Sequence, residues 1–157
     1  GYLDIDELVY NYNLMMHDER YRSREKMAML LALARMGDST SITNMMAKVS
    51  KLPVNDDVVY NIYPDLAYMR QKKAFDFLFD KIMSDSKDCR SSNPDNEKPI
   101  ICAYRIMQLV APYVADFPVK TDKWGEIIIN DYDKTLDDVR KWITEHKDNY
   151  TLNNEIY

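Results

Sequence analysis

Apolar residues recur at spacings of three and four along most of the chain, the periodicity of helices that bury one face. Asp4 with Glu7 three residues on has the form of a capping box, and it opens a helix with Ile5, Leu8, Val9, Tyr12 and Met16 on one side. A charged stretch, HDERYRSREK, leads into MAMLLALARM, the most apolar helix. Gly37 follows Met36 directly, where a helix terminus favours a residue that tolerates positive φ. Asp38, Ser39 and Ser41 offer N-cap oxygens to a third helix, with Ile42, Met45, Met46, Val49 and Leu52 in register and a stop before Pro53.

Asn55-Asp56-Asp57 opens the next helix, with Val58, Val59, Ile62, Leu66, Ala67 and Met69 on one side. Pro64 inside that pattern predicts a kink, or a restart with Pro64 in a first turn. AFDFLFDKIM follows, buried through Phe75, Leu78, Phe79, Ile82 and Met83, and then a polar loop over 85–98. Pro99 suits the first turn of a helix IICAYRIMQLVAPYV that Pro112 should kink. The segment 117–130 holds Pro118, Gly125 and three consecutive isoleucines, which fits a small β-hairpin or an irregular crossing. A last amphipathic helix carries Tyr132, Leu136, Val139, Trp142 or Ile143, and His146 in register. In the tail 148–157, Leu152, Ile156 and Tyr157 are the residues suited to docking.

A repeat underlies the first half. Leu33, Ala34 and Met36 match Leu66, Ala67 and Met69, while Ile42, Met45, Met46, Lys48 and Val49 match Phe75, Leu78, Phe79, Lys81 and Ile82, all 33 residues apart. REKMAMLLALARMGDSTSITNMMAKV resembles a short HEAT repeat: a charged start, an Ala/Leu-rich first helix, a Gly-Asp turn and a second amphipathic helix. The second unit departs from this at the turn, where Arg70-Gln71 replaces Gly-Asp. The resemblance implies an all-α fold, a right-handed α–α superhelix of about three stacked hairpins with units near 20–52, 56–84 and 99–147, whose second helices line the inner face. Tetratricopeptide and ankyrin repeats share the period, but neither W-x-x-L-G-x-x-Y nor T-P-L-H-x-A occurs.

Composition narrows the chemistry. The 157 residues suit one domain, and three glycines leave no Walker P-loop and no G-x-G-x-x-G. His17 and His146 are the only histidines, too few for a His-rich zinc site or H-E-x-x-H. With a net charge of −5 and a pI near 5.0, a nucleic acid is not the expected partner. Arg20, Arg22, Arg24 and Lys26, with Tyr21 among them, spread around a helix instead of forming a stripe. No apolar run reaches the ~18 residues of a membrane span. Gly1 in place of an initiator Met reads as a protease scar, and an extracytoplasmic location, periplasmic or secreted with the signal peptide removed, is expected over a cytoplasmic one.

Candidate chemical groups are weak. Cys89 and Cys102 either close a disulfide or are a buried apolar residue and an incidental thiol. Neither histidine stands near them in sequence to activate a thiolate. The carboxylate pairs Asp56-Asp57 and Asp137-Asp138 read as first-turn residues favoured by the helix dipole. A calcium loop from Asp131 fails, with Leu136 at position 6 and Trp142 at position 12. No catalytic, metal or cofactor set is expected. The twelve tyrosines read mainly as core or rim packing, Tyr12, Tyr104 and Tyr132 among them. The 33-residue frame instead singles out Phe77, which matches the polar-face Asn44, with Asp76 matching Thr43. Thr43, Asn44, Lys48, Asp76, Phe77 and Asp80 form the candidate binding surface: an apolar point within a mixed-charge rim. The function expected is non-enzymatic binding of a protein or peptide by the inner face. An accessory or lyase-like domain holding a small ligand, or a structural segment of a larger assembly, is the alternative.

Overall fold

A computed structural model describes residues 4–20 and 22–153. Helices dominate: α1 (Ile5–Met16), α2 (Ser23–Arg35), α3 (Ser39–Val49), α4 (Asp56–Asn61), α5 (Tyr63–Met69), α6 (Lys72–Ile82), α7 (Ala103–Val110) and α8 (Tyr132–His146). Two small antiparallel hairpins join them, β1 (Cys89–Arg90) with β2 (Pro99–Ile100) and β3 (Lys120–Thr121) with β4 (Ile127–Ile128). Gly1, Tyr21, Ile156 and Tyr157 lie outside the described residues.

Local sequence accounts for most helix ends. The Asp4 carboxylate accepts from the Asp6 amide at 3.2 Å and opens α1. Asp38 caps α3 by accepting from both the amide and the hydroxyl of Ser41, so Ser41 is buried without an unmet polar group. Ser39 and Ser41 therefore lie inside the helix, and Asp38 alone is its cap. Asn55 caps α4 through the Val58 amide. Pro64 sits in the first turn of α5, a restart after Ile62.

Gly37 ends α2 at φ +94°, with its amide on the Ala34 carbonyl and the Asp38 amide on the Leu33 carbonyl. This pair of bonds is a Schellman motif, which satisfies two carbonyls that a helix end leaves open. Arg70 ends α5 at φ +50°, a left-handed conformation that costs a residue with a Cβ about 1 kcal/mol.

α2 packs against α1, α3 and α5; α5 packs against α4, α6 and α7; α3 touches α6, and α7 lies against α6 and α8. The core runs continuously between these layers through residues such as Leu30, Met45, Leu66, Phe75, Leu78, Ile106 and Val139, each at most 2 % exposed. Among the described residues, no helix is long and apolar enough to cross a membrane.

The second half departs from expectation in four places. The polar stretch 85–98 contains β1, and Pro99 stands in β2 opposite Arg90 instead of in a helical turn. A proline fits there because an edge strand leaves its backbone nitrogen unpaired. α7 begins only at Ala103, and Pro112 ends it in a 3-10 turn (Ala111–Tyr113) instead of kinking it. Asp137 and Asp138 lie in the middle of α8, not its first turn, and Asp138 accepts from Lys134 at 2.8 Å. The tail meets the expectation at Leu152, which bridges Val114, while the Ala115 amide donates to the Thr151 carbonyl.

Gly37→Ala tests the role given to the turn. A Cβ there meets nothing within 4 Å, so its whole cost is backbone strain. Thermal or denaturant unfolding should show a loss of about 1 kcal/mol. An unchanged or higher stability would contradict the positive φ at this residue.

Candidate functional site

The six residues singled out by the repeat frame lie on α3 and α6 but do not converge on one recess. Thr43, Asn44 and Lys48 are exposed on α3. Lys48 borders a shallow recess of about 190 Å³ beside Tyr12, Met16, Lys26 and Met27. Asp80 is exposed on α6, where it shares a different recess of about 230 Å³ with Asp76, Lys72, Phe79, Ile143 and Lys147. Asp76 is half-buried and accepts a hydrogen bond from the Tyr150 hydroxyl at 2.8 Å, so it latches the tail. Phe77 is half-buried too, edge-on to Tyr63 at 5.8 Å with the Lys81 ammonium 4.9 Å from its ring centre.

Phe79, not Phe77, is the aromatic hub of α6. Its ring is 2 % exposed and meets Phe117 at 6.3 Å, Trp142 at 6.2 Å and Tyr150 at 4.9 Å. His146 stacks on Trp142 at 4.7 Å. Arg140 of α8 reaches back to the carbonyls of Ile82 and Ser84 at 3.0 Å and to Asp85 at 2.8 Å.

Cys89 and Cys102 are bonded to each other and buried, so neither sulfur is a nucleophile. The bond ties β1 to the residue just before α7. Two polar contacts hold the same strand from either side: the Arg90 amide donates to Asp56 at 2.8 Å, and Arg105 donates to the Arg90 carbonyl at 2.9 Å.

This anchored hairpin forms one wall of a groove that sequence reasoning missed. Ser91, Ser92 and Ile100 face Tyr104, Arg105 and Gln108 of α7 and Tyr132 of α8 across a recess of about 220 Å³. A second recess of about 250 Å³ adjoins it through the shared Arg105 and Gln108, and is closed by Val59, Tyr60, Pro64 and Leu109. Tyr104 and Tyr132 meet edge to face at 5.6 Å. Gln108 donates to the Tyr132 hydroxyl at 3.0 Å, and the Tyr104 hydroxyl donates to Asp133. The Arg105 guanidinium lies 5.4 Å from the centre of the Tyr60 ring. Its Nε is buried without a hydrogen-bond partner, and so is Oδ1 of Asp56.

Among the described residues, no three His, Cys, Asp or Glu side chains are grouped to hold a metal ion. At the basic stretch, Asp18 takes up the Arg20 guanidinium at 2.5 Å, and that hydrogen bond holds the Asp18 carboxyl down at about 2. No protein-family model matches the chain, and neither a curated protein nor a solved structure does.

The tyrosines give a pH signature. The Asp133 carboxylate, followed by burial, pushes the Tyr104 phenol up to about 12, and burial alone pushes Tyr63 to about 12. Tyr150 is raised by burial and then by Asp76. A phenol raised in the folded state contributes stability that is complete below the unfolded value of 10.0 and is lost as pH climbs through the folded value. A phenolate absorbance titration should therefore show a late step towards pH 12 coinciding with loss of structure, reduced in Tyr104→Phe. A titration complete near pH 10 would contradict these contacts. Phe77→Ala should lower stability by about 2 kcal/mol, consistent with a half-buried ring; an unfolding midpoint equal to that of the parent chain would restore Phe77 as a free surface residue.

Proposed function

We propose that this chain is a non-enzymatic scaffold that binds a protein or peptide through the exposed face of paired helices, in a HEAT-like stack. The observation that carries the reading is a match between two hairpins. α3 spans Ser39–Val49 and α6 spans Lys72–Ile82, so both helices begin and end 33 residues apart. Two of the four described residues with positive φ, Gly37 and Arg70, are separated by the same interval. Arg35 donates to the Tyr68 carbonyl at 2.6 Å and lies 4.7 Å from the Tyr68 ring centre, joining positions 33 apart. Contacts of α2 with α5, of α5 with α7 and of α3 with α6 are those a stack of hairpins makes. α7 and α8 are the third hairpin in this reading.

The binding face is then the α3–α6 surface, with Thr43, Asn44, Lys48 and Asp80 open to solvent. Phe77 supplies apolar area at its edge, and Asp76 supports the face while holding Tyr150. The buried Cys89–Cys102 bond favours an oxidising, extracytoplasmic compartment. A small-ligand reading draws on the tyrosine recess beside α7, with the observation that aromatic and polar groups converge there.

Random peptides displayed on phage and selected on the folded chain provide the test. Selected peptides should bind the Lys48→Glu/Asp80→Lys double variant at least tenfold more weakly, about 1.4 kcal/mol, while its unfolding midpoint stays that of the parent. Peptides indifferent to the double variant would remove the α3–α6 face as the binding surface.

A further inference from the structure

We infer that the tyrosine groove beside α7 is a second binding site, which takes an extended peptide segment through a carboxylate anchored at Arg105. This inference does not depend on the α3–α6 face, since the groove lies on other elements.

The charge of the lining selects the ligand. The chain carries 26 acidic residues and a net charge of −5, yet no Asp or Glu lines either recess, and Arg105 is the one charged side chain in both. Asp133 accepts from the Tyr104 hydroxyl and Asp56 from the Arg90 amide, but neither carboxylate lines a recess. Arg105 keeps donor capacity: its Nη2 holds the Arg90 carbonyl and its Nε is buried, but its Nη1 makes no hydrogen bond among the described residues. Because the Tyr132 oxygen accepts from Gln108, its proton is free to donate, and Ser92 adds an exposed hydroxyl. The groove thus has an excess of donors around one cation, which suits a carboxylate and peptide carbonyls.

The shape selects a peptide over a single small acid. Arg105 and Gln108 line both recesses, so a carboxylate held by Arg105 has a pocket to either side of it. Tyr104 and Tyr132 wall one pocket; Tyr60, Pro64 and Leu109 wall the other. Rigid aromatic walls beside an arginine are the composition of interface anchors. The wall formed by the β1–β2 hairpin is fixed by a covalent bond and two backbone contacts, so little ordering is required on binding.

Fluorescent peptide pools, randomised in Tyr, Pro and Leu around one central position, test the inference by anisotropy. One pool has central Glu and an amidated end, one central Gln and a free C-terminal carboxylate, and one central Gln and an amidated end. At least one acid-bearing pool should bind tenfold or more tightly than the acid-free pool, and the better one tells a side-chain carboxylate from a terminal one. Ser92→Glu places a negative charge in the groove without touching the hairpin's anchors, and should abolish that preference; Arg105→Lys should weaken it. Equal binding by all three pools, no binding by any, or an unaffected Ser92→Glu variant would overturn the inference. So would N-acetylglutamate amide binding as tightly as the acidic peptide, since a free acid would then account for the site.

Discussion

The reversals of direction between α2 and α3 and between α5 and α6 are the constraint on which the arrangement of the chain rests. At Gly37 and again at Arg70 the backbone enters the left-handed region, and only then can α3 fold back on α2 and α6 on α5. Glycine does this at no steric cost, whereas Arg70 carries a Cβ into a conformation that surrounding contacts must sustain. Those contacts are visible. The Arg70 guanidinium lies 6.0 Å from the Tyr113 ring centre, and the neighbouring Gln71 donates to the Arg35 carbonyl at the end of α2. The second turn is thus tied to both its neighbours, and a strained residue there is compensated by the packing it makes possible.

The last third of the chain is held to the helices by a different device. Phe79 brings together Phe117, Trp142 and Tyr150, which come from a loop, α8 and the tail. Aromatic rings in edge-on contact add about 0.5–1.5 kcal/mol per pair beyond their burial. Just before α7 the Cys89–Cys102 bond and the Asp56 and Arg105 contacts fix the β1–β2 hairpin. The groove beside α7 is a consequence of that fixed hairpin, which forms one of its walls. The proposed binding role would draw on such surfaces, whose shape is set before a partner arrives.

What could be read in advance follows from the range of the interactions. Caps at Asp4, Asp38 and Asn55, the stop at Gly37 and the restart at Pro64 depend on residues a few positions away, and the sequence carries them openly. Pro99 pairs with Arg90 across a loop, and the tail depends on partners far along the chain. Strands of two residues have no alternation to detect, and the docking of Tyr150 on Asp76 spans 74 residues. The groove was hidden for the same reason, its walls coming from residues near 60, 91–108 and 132. Tyr132 packs at the rim, edge to face with Tyr104, but the register it shares with the buried Leu136 gave no sign that the first turn of α8 opens it, 44 % exposed, to the groove. Phe77 misled in the other direction: its frame partner Asn44 is exposed, but Tyr63 and Lys81 close over the ring.

The proposed function stands on the equivalence of the two hairpins, and that equivalence turns on Arg70. Its backbone conformation is directly measurable in solution from the φ-dependent coupling and the intraresidue amide–Hα Overhauser effect in an NMR spectrum of the labelled chain. A positive φ is expected at Arg70, as at Gly37. A right-handed helical or extended value there would mean that the second hairpin turns differently from the first, and the α3–α6 face would no longer be the surface of a repeat.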